Sequence, residues 1–115
     1  MNYTHIKLIL RNSFTNCLET YVFPVKEVRH VLNFYIDIAS AKMECDVILY
    51  NEQTSDEVSL EFIPIMYSST NSDYRENSEY NRLFRKFLKT NLIPLYPREY
   101  EVNVKDRLVH SEKLN

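Results

Sequence analysis

The sequence predicts an α+β domain in the order β-β-α-β-β-α-β, a mostly antiparallel sheet with two helices packed on one face. Three observations carry that prediction. Short stretches alternate apolar and polar residues, as half-buried strands do. Two longer stretches repeat their apolar residues every three or four positions, as amphipathic helices do. Turn-forming residues punctuate the chain between them. At 115 residues a single domain is expected, spanning 1–107, with 108–115 as a flexible C-terminal tail.

Thr4, Ile6, Leu8 and Leu10 alternate with His5, Lys7 and Arg11, which reads as the first strand. Residues 11–16 are turn chemistry, and 17–23 read as a second strand closing a hairpin. Pro24 suits the first position of a helix, where a missing N–H costs nothing. Val28, Val31, Leu32, Tyr35 and Ala39 then mark a helix from Val25 to about Ala41, and Phe34, Ile36 and Ile38 widen its apolar face. Met43, Cys45, Val47 and Leu49 give the third strand; after a turn at 51–56, Val58, Leu60 and Phe62 give the fourth. Pro64 removes a ladder donor and places that strand at an edge or a bulge. Residues 68–78 read as a loop. Tyr80, Leu83, Phe84, Phe87, Leu88 and Asn91 follow helical spacing until Pro94 and Pro97 stop them. Tyr100, Val102 and Val104 alternate as a last strand.

Composition excludes several functions. Glycine is absent, where an average chain of this length has roughly eight. That removes the P-loop, the dinucleotide-binding turn, the kinase lid, the nucleophile elbow and the EF-hand loop. Asparagine is expected to take the left-handed positions that glycine normally fills. Asn, Lys, Ile, Tyr and Phe make up 41 residues and alanine only 2, a bias toward AT-rich codons. It points to a low-GC bacterium, its phages or another AT-rich virus.

No apolar run reaches the length of about 18 residues that spans a membrane. The N-terminal stretch lacks the grammar of a signal peptide. Cys17 and Cys45 stand far apart, outside any redox or metal spacing, and read as reduced, partly buried thiols of a cytoplasmic protein.

Catalytic and metal-binding patterns are scarce. His5, His30 and His110 fall on different elements and read as surface residues. Glu44, Asp46 and Glu61 share a predicted sheet face, but no lysine lies between Lys42 and Lys86 to complete a nuclease-like site. The sequence therefore reads as non-enzymatic and calls for no cofactor or metal.

Charge carries the strongest functional signal. The net charge of -2 conceals a segregation: residues 1–36 sum to +2, 37–79 to -8 and 80–115 to +4. Glu44, Asp46, Glu52, Asp56, Glu57, Glu61 and Asp73 fall in a stretch without Lys or Arg. Such an acidic hairpin either faces solvent, its carboxylates kept apart or paired with basic residues of the second predicted helix, or docks on a basic groove in place of nucleic-acid phosphates. Tyr67 and Tyr74 bracket a Ser/Thr/Asn loop of the kind used in binding surfaces.

The leading expectation is a protein-binding module that places the acidic hairpin and these tyrosines on a larger host protein. A phage or mobile-element inhibitor of a defence nuclease, such as a CRISPR effector, fits that description. The alternative uses Arg82, Arg85, Lys86 and Lys89, one stripe of the second predicted helix, to bind nucleic acid directly. The negative overall charge counts against it. A third reading is a self-associating structural or viral protein, with a homodimer formed through the strand edge at Pro64 or the tyrosine loops.

Overall fold

The structure, a computed structural model, describes residues 3–60, 78–97 and 101–114. The chain divides into two compact units, Met1–Leu60 with Glu99–Asn115, and Glu61–Arg98.

The first unit holds a five-stranded antiparallel sheet and a helix. Strand β1 (His5–Asn12) turns into β2 (Cys17–Pro24). A 3-10 turn at Val25–Glu27 leads into helix α1 (Val28–Ser40), followed by β3 (Glu44–Tyr50) and β4 (Glu57–Ser59). A second 3-10 turn, Val104–Arg107, leads into β5 (Leu108–Lys113). The strand order is β4-β3-β1-β2-β5. Since β1 is antiparallel to both β2 and β3, those two strands run parallel to each other, and α1 makes the crossover between them.

Register explains the core. Leu8 pairs with Tyr21 on one side and Val47 on the other, and Ile6 with Phe23 and Leu49. All six are buried, so the alternating pattern of each strand lines up on one sheet face. Val28, Val31, Leu32, Ile36 and Ile38 form the buried stripe of α1, and Phe34 meets Tyr21 edge-on at 5.1 Å between ring centres. Full burial of each such side chain stabilises by about 1.5–3 kcal/mol.

In the second unit, helix α2 (Ser78–Thr90) buries Phe84, Phe87 and Leu88 and exposes Arg82, Arg85, Lys86 and Lys89. The apolar and basic stripes predicted from spacing are both present.

Among the described residues, four take the left-handed conformation without being glycine: Asn16, Lys42, Ser55 and Leu92. One of them is asparagine, so among the described residues that expectation is met at Asn16. Lys42 and Leu92 close the two helices in the same way. The Met43 N–H donates to the Ile38 carbonyl and the Lys42 N–H to that of Ala39; Ile93 and Leu92 donate likewise to Leu88 and Lys89. These are Schellman caps, whose left-handed position usually falls to glycine. Asn16 and Ser55 close the two hairpins. There Asn12 Oδ1 accepts from the N–H groups of Phe14 and Thr15, and Asn51 Oδ1 from those of Gln53 and Thr54. Asn12-Ser-Phe-Thr-Asn16 and Asn51-Glu-Gln-Thr-Ser55 are one turn device used twice.

The structure corrects four expectations. Pro24 ends β2 and precedes a 3-10 turn, so α1 starts at Val28 rather than Val25. Regular pairing of the fourth strand ends at Ser59; Leu60 still donates to the Val47 carbonyl, and Phe62 and Pro64 lie outside the described residues. Of the last strand expected at 100–104, the described residues 101–104 are not strand. Asn103 Oδ1 accepts from the Lys105 N–H at 3.1 Å and caps a 3-10 turn, a local bond that competes with a ladder. Finally, residues 108–113, expected as part of a flexible tail, are β5. Their pairing runs from Cys17 opposite Lys113 to Tyr21 opposite Leu108, with a bulge that leaves Val109 as the extra residue.

Candidate interaction surface

The acidic hairpin is built as its sequence suggests. Glu44 and Asp46 alternate with Cys45 and Val47, so both carboxylates leave the sheet on the face opposite α1. Glu57 on β4 sits opposite Tyr50 on the same face, and Glu52 and Asp56 lie in the connecting turn. All five are exposed. Glu61, Tyr67, Asp73 and Tyr74 lie outside the described residues.

The sequence did not reveal what stands beside them. β1 pairs with β3, which places His5, Lys7 and Arg11 on the acidic face. Arg11 Nε lies 3.7 Å from Glu44 Oε2, Lys7 Nζ 3.8 Å from Glu57 Oε2, and His5 Nδ1 3.7 Å from Glu52 Oε2. Tyr50 completes the row, stacked on His5 at 5.6 Å, with Lys7 Nζ 5.3 Å from its ring centre. Burial, with Glu52 nearby, raises the Tyr50 phenol above its ordinary value. Compensation is thus real but incomplete. Asp46 and Asp56 have no ion-pair partner among the described residues; the Asp56 carboxylate accepts from the Thr54 hydroxyl at 3.0 Å, and the Asp56 N–H donates to that hydroxyl at 3.4 Å. Among the described residues of this face, five carboxylates stand against two cations, Lys7 and Arg11, a surplus of three.

A half-open recess of about 480 Å³ lies at one end of this surface, with Arg11, Glu44 and Asp46 beside Tyr35, Met43 and Cys45. Burial, helped by the Asp46 charge, pushes the Cys45 thiol up to about 12, so it is no thiolate nucleophile near neutral pH. Cys17 and Cys45 are both free and half-buried. No group of three or more His, Cys, Asp or Glu side chains among the described residues is placed to hold a metal. Among those residues, no helix is long and apolar enough to cross a membrane.

One charged pair plays a different part. Glu27, 2% exposed, receives two bonds from Arg107: Nε to Oε1 at 2.8 Å and Nη2 to Oε2 at 2.7 Å. This buried fork ties the turn after β2 to the turn before β5, across 80 residues of sequence. No local pattern announces it, since Glu27 lies in an ordinary amphipathic stretch.

No protein-family model, curated protein or solved structure matches this chain.

Proposed function

We propose that the chain works by binding rather than catalysis, and that its β3–β4 hairpin docks in a basic groove of a larger protein. The observation that carries this reading is the surplus of exposed carboxylates that survives the pairing with β1. Carboxylates spaced along an exposed sheet face offer a basic groove the charge that phosphates would offer, and their field steers encounter. Asp46 and Asp56 are the anchors of the surface, because among the described residues no internal cation pairs with them. An inhibitor carried by a phage or mobile element and directed at a defence nuclease, such as a CRISPR effector, is the role this chemistry and the AT-rich codon bias suit best.

The test is capture from lysate of a low-GC bacterium, with nuclease added and with a DNA oligonucleotide as competitor. The expected result is a nuclease-resistant protein partner that the oligonucleotide displaces. Capture that the oligonucleotide leaves unchanged would contradict groove docking. Capture that nuclease abolishes would favour the second reading, in which Arg82, Arg85, Lys86 and Lys89, all exposed on α2, bind nucleic acid directly.

A further inference from the structure

The sheet ends at β5, and all six of its residues are exposed, Val109 by 62%. The opposite edge, β4, has three residues. An exposed edge strand of six is a template for another strand, and proteins usually guard such edges with charge. Here the charges are arranged so that one pairing turns them to advantage.

We propose that β5 pairs with β5 of a second copy of this chain, antiparallel and centred on Ser111. The backbone permits that register. The Leu114 N–H donates to the Asn16 carbonyl at 2.9 Å, so Leu114, and by alternation Glu112, turn their backbone groups toward β2. Ser111 and Lys113 then point theirs outward. Two Ser111 residues facing each other exchange a pair of N–H···O=C bonds, and Lys113 meets Val109 of the other copy at each end.

The side chains select this register over its neighbours. His110 and Glu112 lie on one face, 3.7 Å apart between Nε2 and Oε2. Centred on Ser111, each His110 stands opposite Glu112 of the second copy, giving two cross-strand pairs in which the imidazole donates to a carboxylate. A slide of two residues either places Glu112 opposite Glu112, and directly opposed like charges destabilise a sheet, or places His110 opposite His110 and loses both pairs. The bulge at Val109 ends the regular stretch, so the interface is short and the association weak. This dimer uses the edge opposite β4, so it stands or falls independently of the acidic hairpin.

Sedimentation equilibrium of the full chain from about 10 μM to about 1 mM tests it, a range that covers weak dimers. The mass should rise from monomer toward dimer with concentration. Ser111→Pro removes an N–H that points away from β2, and should weaken the dimer about tenfold or more with the circular dichroism unchanged. His110→Glu and Glu112→Lys should each weaken it, and mixing the two variants should restore a heterodimer. A wild-type chain that stays monomeric throughout overturns the proposal. So does a dimer indifferent to all three substitutions. If Ser111→Pro fails to fold, the charge variants decide alone, and no rescue on mixing counts against the register.

Discussion

The two sides of the sheet hold their charges differently. On the β2–β5 side, Glu27 and Arg107 form a bidentate pair with Glu27 fully enclosed. On the β3–β4 side, Arg11–Glu44 and Lys7–Glu57 are single contacts of 3.7 and 3.8 Å at the surface. A buried charge deprived of its partner is costly, whereas a solvated pair of that length contributes little. The first pair therefore holds architecture, and the hairpin acids are left to act outward.

The largest effect is expected of Arg107→Ala, which strands the Glu27 carboxylate. It should cost about 3–5 kcal/mol in urea unfolding, with loss of exchange protection in β5 amides. A loss below about 1 kcal/mol would place the pair with the surface contacts.

Alkaline titration probes the core between the two sides. Burial, reinforced by the Glu19 carboxylate that accepts its hydroxyl at 3.0 Å, pushes Tyr21 up from 10.0 to about 12. Below the lower value both states keep the proton and this contribution is complete. Between the two values the unfolded chain sheds it first, so stability falls as pH rises from about 10 to about 12. Flat stability across that window would contradict the burial of Tyr21.

Smaller effects concern the caps and the hairpin. Lys42→Gly relieves a left-handed lysine while adding chain entropy to the unfolded state, for a net gain of up to about 1 kcal/mol in thermal melts. A loss would mean that the Lys42 side chain contributes more than its backbone costs. Lys7→Met should change stability by about 0.5 kcal/mol or less, because its partner Glu57 stays solvated. A larger change would show that the β1 cations are structural.

Much of the fold was legible because local pattern and register agree. The apolar alternation of Ile6, Leu8 and Leu10 is the core face of β1, and the 3-4 spacing around Phe84 and Leu88 is the buried stripe of α2. The C-terminal strand was missed for a physical reason. Leu108–Lys113 is exposed on both faces at an edge, so it lacks the alternation that marks a half-buried strand, whereas 100–104 shows alternation and its described part is not strand. The acids of the hairpin were readable from composition. Their cationic neighbours were not, because the adjacency of β1 and β3 depends on strand order, which local pattern does not encode. The Glu27–Arg107 pair escaped notice for the same reason.

Docking through the hairpin is tested by the double reversal Asp46→Lys with Asp56→Lys, measured for both stability and partner capture. Neither residue has an ion pair among the described residues, so unfolding free energy should stay within about 0.5 kcal/mol of the wild type. Capture of the nuclease-resistant partner should be lost. Undiminished capture by the folded double variant would take the hairpin out of the binding surface.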